Sequence, residues 1–163
     1  MFIKTGLASN DMVESKLPSK ERREQGPYAI FECFQEIPCN PCSTVCKLNA
    51  VKDFKNINDI PEINYDKCTG CAMCVSICPG LSCFVIDETY SDDEVMIKMP
   101  YEFLPLPEIN SIVNALDREG KAIGDAKVLK VQDNKKLDHT NIITISVTKE
   151  IFLDVRNIGL EEK

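Results

Sequence analysis

The run Cys68-Thr-Gly-Cys71-Ala-Met-Cys74-Val-Ser-Ile-Cys78-Pro79 sets three cysteines at two-residue gaps and a fourth after a three-residue gap. Thiolates at that spacing are metal ligands before they are anything else. Three of them, on one tight loop, can wrap a four-iron, four-sulfur cluster and offer a sulfur to three of its irons. Gly70 permits the close turn and the approach of backbone that such wrapping needs. The fourth, Cys78, comes where the chain turns into a helix, so its sulfur points elsewhere. Pro79 suits a first helical turn, where its missing N–H costs nothing.

A sulfur that points elsewhere requires a second set of ligands, and Cys33-Phe-Gln-Glu-Ile-Pro-Cys39-Asn-Pro-Cys42-Ser-Thr-Val-Cys46 supplies candidates. Cys39, Cys42 and Cys46 match the last three positions of the complete run. The first position falls on Glu36, and Cys33 replaces it if the loop is longer. Otherwise Glu36, a water or nothing completes the site, or the cluster has three irons. Cys83 lies in a β-prone run after the motif and reads as a core thiol. Zinc knuckles built from paired C-x2-C would leave Cys46, Cys74 and Cys78 unused. The C-x3-C-x2-C spacing of radical enzymes fails, because Asn49 follows Cys46 where a cysteine is needed. His139, the lone histidine, lies in a polar run and reads as a surface-loop residue.

The elements around these groups follow from pattern. Tyr28–Phe31 reads as a short strand that enters the first group, and Ile63–Tyr65 as one that enters the second. Leu48, Val51 and Phe54 are spaced as in a short helix over 46–54. Cys83–Ile86 and Val95–Ile97, with the turn residues Ser91–Asp93 between them, predict a hairpin. Strand, cysteine loop and short helix therefore occur twice, as an internal repeat. Residues 1–27 form an arm whose charged stretch Pro18–Gly26 fits a solvated tail as well as a segment draped over a partner. Pro100, Pro105 and Pro107 mark a boundary. Beyond it, Ile109–Leu116, Lys127–Val131 and Ile142–Val147 read as strands, with Gly120, Gly124 and the polar run Asp133–Asp138 between them. Lys149–Arg156 reads as a closing helix with Ile151, Phe152 and Val155 on one face. No catalytic motif stands in residues 100–163.

Composition narrows the class. A hydrophobic share of 44% and a charged share of 28% are those of a globular protein. A net charge of −7 without a basic stripe speaks against nucleic-acid binding. The longest apolar stretches are strand-sized, so no membrane span is expected. Met1–Lys20 lacks the apolar core of a secretory signal, and an odd cysteine count argues against a disulfide framework. Both point to a cytoplasmic location.

Residues Tyr28 to Met99 resemble the two-cluster [4Fe–4S] bacterial-type ferredoxin family, on the strength of the run Cys68–Pro79 and the looser group Cys33–Cys46. The resemblance implies an α+β, ferredoxin-like domain over 28–99, with a one-electron carrier function. It implies cluster 1 on Cys33, Cys39, Cys42 and Cys78, and cluster 2 on Cys46, Cys68, Cys71 and Cys74. Residues 1–27 then form the arm and 100–163 a small β-rich docking domain. More loosely, the layout is similar to the small iron–sulfur subunits of multi-subunit, FAD-dependent amine or imino-acid dehydrogenases. That implies a non-catalytic subunit of a hetero-oligomer, relaying single electrons from an FAD-containing partner. A free-standing ferredoxin-type shuttle and a structural or redox-sensing module are the competing readings.

Overall fold

The computed structural model describes residues 2–133 and 140–160. His139 and residues 134–138 of the polar run lie outside them. The fold is α+β: five helices of four or five residues and one antiparallel sheet of seven strands among the described residues. The strands are β1 (Tyr28–Phe31), β2 (Cys83–Asp87), β3 (Glu94–Tyr101), β4 (Ile112–Leu116), β5 (Ala122–Gln132), β6 (Asn141–Thr148) and β7 (Asn157–Gly159). They lie in the order β1-β2-β3-β6-β5-β4-β7.

The sheet does not break at the prolines. β3 runs through Met99 and Pro100 to Tyr101 and pairs along its whole length with β6, from Glu94↔Thr148 to Tyr101↔Asn141. Pro100 has no N–H to give to a ladder. It is tolerated because the pairing of β3 with β2 ends at Lys98, which leaves a free edge beside it. The connector therefore starts after Tyr101. One core lies across strands from both sides of Pro100: Tyr28, Ile86 and Ile97 pack in the same cluster as Val128, Ile145 and Val155.

The helices differ from the sequence expectation both in place and in number. Helix α4 (Pro41–Val45) precedes the stretch read as helical over 46–54. Pro41 sits in its first turn, where proline is preorganised. The chain leaves the helix at Cys46, and Asn49 adopts a left-handed conformation (φ 49°) that ends any continuation. Helix α5 (Met73–Ile77) likewise lies before Pro79, not after it. The residue before a proline is pushed out of the helical region, and Cys78 is extended at φ −70°, ψ 112°. Ile63–Tyr65 contributes a single bridge, Val51↔Ile63, rather than a strand. Residues 149–154 form turns instead of a closing helix, with Phe152 and Val155 still delivered to the core.

Three further helices, α1 (Phe2–Thr5), α2 (Asn10–Glu14) and α3 (Lys20–Arg23), belong to the N-terminal arm. The arm is packed down. Val13 is 1% exposed, the Phe2 ring meets Phe34 edge-on, and the Tyr65 hydroxyl donates to the Lys16 carbonyl. This favours the draped segment over the solvated tail, with the chain's own body as the surface covered.

Candidate iron–sulfur site

The two cysteine groups are built alike, at an offset of 32 residues (Cys46 to Cys78). In each, a cysteine sits one residue into a five-residue helix and another caps its end: Cys42 and Cys46 on α4, Cys74 and Cys78 on α5. Both caps are extended. Three residues beyond each stands a left-handed residue, Asn49 (φ 49°) and Leu81 (φ 52°). The next N–H turns back to the cap's sulfur, from Ala50 to Cys46 Sγ at 3.3 Å and from Ser82 to Cys78 Sγ at 3.4 Å. The chain then enters an antiparallel contact with the start of the other unit: Val51↔Ile63 in one case, Cys83↔Phe31 in the other. Equivalent residues therefore pair reciprocally, as a twofold-related repeat requires. Cys83 corresponds to Val51, and both are buried, at 3% and 5% exposure.

Reciprocal pairing interleaves the units. A cavity between β1 and the Cys68–Cys74 loop is lined by Cys46 of the first unit together with Cys68, Cys71 and Cys74 of the second. Its other walls include Phe31, Val51 and Ile63, a dry surround in which thiolate charge is little screened. The loop is shaped by Gly70 at φ 65°, where an added Cβ would lie 2.7 Å from Pro27 Cβ. Ala72, also left-handed at φ 68°, starts α5. Cys68 Sγ accepts the Ala29 N–H at 3.3 Å. Cys71 is the one exposed cysteine among the nine.

The remaining four interact electrostatically. Burial raises the Cys33 thiol, and the charges of Cys78 and Cys39 raise it further. Burial and then Cys78 raise Cys39. Burial pushes Cys42 up to about 12, with Cys78, Cys74 and Cys39 adding to it. Cys78 moves the other way, to about 6, chiefly because the Cys83 thiol donates to it. Cys74 is lowered by the same donor, and Cys83 is itself raised far above the ordinary thiol range. Cys83 is thus a buried thiol that lowers Cys74 and Cys78 of the second group, a role its β-prone context gave no sign of. Thiols that resist ionisation in an apolar site become ligands when a metal replaces the proton.

Among the described residues, no three His, Cys, Asp or Glu side chains converge as ligands of one ion would. A four-iron cluster asks for a different arrangement, one thiolate per iron around a body that keeps the sulfurs apart. A cavity ringed by Cys46, Cys68, Cys71 and Cys74, with N–H···S bonds to two of them, Cys46 and Cys68, fits that demand.

Charged residues outside the motifs support both groups. Glu32, next to Cys33, is gripped by Arg118 through Nε (2.8 Å) and Nη2 (2.6 Å) and by Arg156 Nε (2.5 Å). Arg156 also lies over the Phe84 ring, 4.9 Å from its centroid. The Glu32 N–H bonds the Ser82 carbonyl, so the chain entering Cys33 is tied to the chain leaving Cys78. Isolated charges scattered over 124 residues carry no sequence signal of such a meeting.

Comparison with known proteins adds to this geometry. Residues 60–86 match the model of a 4Fe-4S binding domain. The second cysteine run is a 4Fe–4S-type binding region. The chain is 31% identical, over 66% of its length, to a selenate reductase subunit of Mesobacillus selenatarsenatis. It is 37% identical, over 38% of its length, to a Halobacterium salinarum protein named as a dimethyl sulfoxide reductase iron–sulfur subunit. These matches span 35% and 25% of the two relatives. The chain is thus related to subunits of reductase complexes, while most of each relative has no counterpart in it. No solved structure matches the chain. Among the described residues no helix is long and apolar enough to cross a membrane.

Proposed function

We propose that the chain is an iron–sulfur electron-transfer subunit with two [4Fe–4S] clusters. Cys46, Cys68, Cys71 and Cys74 hold one, and Cys33, Cys39, Cys42 and Cys78 the other. The observation that carries the reading is the exchange of one cysteine between units: Cys46 lines the cavity of the second loop, and Cys78 acts on the charge of Cys33, Cys39 and Cys42. Each bound cluster would accept and release one electron at a time. The protein's own share is to supply the thiolates, to aim N–H groups at three of the sulfurs, and to keep one cavity apolar. Cys71, the exposed ligand, marks where the second centre comes nearest to a partner.

The subunit serves a hetero-oligomeric redox complex. The overall layout supports an FAD-containing dehydrogenase as the catalytic partner, and the names of the relatives support a reductase. Anaerobic co-purification decides between them. A flavoprotein retained with the chain supports the first. A flavin-free catalytic subunit with another redox cofactor supports the second. A monomer that exchanges electrons with many acceptors means a free shuttle instead. Metal analysis tests the centres themselves: iron and acid-labile sulfide should each approach roughly eight per chain. About four of each would leave a single cluster, and zinc without sulfide would sink the proposal.

A further inference from the structure

Two cations lie on the backbone of the loop that carries Cys68. Arg22 of α3 donates through Nε to the Tyr65 carbonyl (2.8 Å) and through Nη1 to that of Gly26 (3.0 Å). Its Nη2 reaches the carbonyls of Pro27 (2.9 Å) and Cys68 itself (2.7 Å). Lys98 of β3 donates through Nζ to the Gly70 carbonyl at 3.1 Å. All five acceptors are neutral. Among the described residues neither cation has a carboxylate within ion-pair distance, whereas Arg23, Arg118 and Arg156 each have one. Both are partly buried.

A partly buried cation bonded only to carbonyls has given up solvent without gaining a counter-charge. Here the missing negative charge has an obvious place, on the inner side of the same loop. A [4Fe–4S] cluster with four thiolates is net negative and gains one further negative charge on reduction. A fixed cation close by is attracted to both states and more to the reduced one, in a surround that screens it little. Arg22 also spans Pro27 and Cys68, the two strands of chain between which the Ala29 N–H meets Cys68 Sγ. Charge and hydrogen bond act in the same direction, toward the electron-rich state.

We infer that Arg22 and Lys98 are positioning residues that raise the reduction potential of the Cys46/Cys68/Cys71/Cys74 centre. The inference rests on the two-cluster reading above. Anaerobic redox titration of the full chain, followed by electron paramagnetic resonance, tests it. Cys71→Ala identifies which signal belongs to this centre. Lys98→Gln should lower its midpoint potential by about 59 mV, tenfold in the one-electron equilibrium, and shift the other centre less. Arg22→Gln should do the same, and Arg22→Lys and Lys98→Arg, which keep the charge, should restore the wild-type value. An unchanged potential in Lys98→Gln, or an equal shift of both centres, overturns the inference. Should Arg22→Gln fail to assemble, Lys98→Gln, which loses a single hydrogen bond, still decides it. A wild-type protein without iron or sulfide would overturn the functional reading itself, an outcome separate from intact clusters whose potentials do not move.

Discussion

Glu32 shows how much a single side chain holds together in this protein. Its carboxylate is 10% exposed and meets two guanidinium groups that are themselves mostly buried. Removing the carboxylate leaves Arg156 charged and buried without an ion-pair partner, while Arg118 keeps Asp154 at 3.7 Å, a loss of about 3–5 kcal/mol. Glu32→Gln should therefore lower stability by about 3 kcal/mol in urea unfolding. It should also loosen the Cys33 side of the site. Burial alone would raise the Glu32 carboxyl, but hydrogen bonds from Arg118 and the charges of Arg156 and Arg118 outweigh it and hold it below the ordinary 4.5. The unfolded chain thus takes up a proton before the folded one does. Stability supplied by Glu32 is complete above 4.5 and declines as pH falls below it, toward the folded value. Unfolding curves at descending pH should show this acid limb in the wild type and a flatter one in Glu32→Gln. On the proposed two-cluster reading, Cys71→Ala should remove one cluster and largely spare the other, read as iron and sulfide falling by about half. Loss of both would mean that the two centres fold as one unit.

At the scale of elements, the cysteine loops depend on backbone that only certain residues adopt. Gly70 needs a positive φ and has Pro27 and Val85 packed where a side chain would go. Gly70→Ala should cost about 1–3 kcal/mol from conformation alone, more once Pro27 must shift, and should lower cluster occupancy at Cys68–Cys74. The measurement is metal content beside the denaturation midpoint. The two short helices do less than their length implies. Five residues are too few for a helix stable alone, so α4 and α5 are held by what surrounds them. Val75 and Cys74 are buried in the cluster that also contains Phe31, Val51 and Val85. Leu48, Val51 and Phe54 share the period of a helix over 46–54. Yet Val51 is buried as a bridge residue and Leu48 is 44% exposed. Periodicity in so short a stretch does not separate a helix from a turn followed by extended chain.

At the scale of the molecule, the sheet joins the cysteine units to everything after them. β3 is an interior strand, paired on one side with β2 and on the other with β6. A fragment ending at Met99 would strip β6 from it and uncover Ile97 and Met99, which are fully buried in the whole chain. An unpaired apolar edge of that length invites association. Residues 1–99 expressed alone should therefore be insoluble or lack a cooperative unfolding transition. A soluble, cluster-bearing fragment would show that residues 100–163 are a separable appendage. The N-terminal arm belongs to the same body, since Arg22 closes the Cys68 loop and Tyr65 holds Lys16.

Cysteine spacing alone determined the class of chemistry, because ligand reach along a short loop is a local property of the chain. The repeat was legible for the same reason, in its two cysteine groups, though not in the strand and helix read at 63–65 and 46–54; the β2–β3 hairpin was legible in its turn residues. The tertiary structure decided which cysteines face one another across the units, because that depends on Phe31 meeting Cys83 and Val51 meeting Ile63 across long stretches of chain. It decided that Pro100 lies inside a strand, since whether a missing N–H matters depends on whether a neighbour is there to receive it. And it brought Glu32 to Arg118 and Arg156, and Arg22 to Cys68, pairings that exist only once the chain has folded and that no local pattern records.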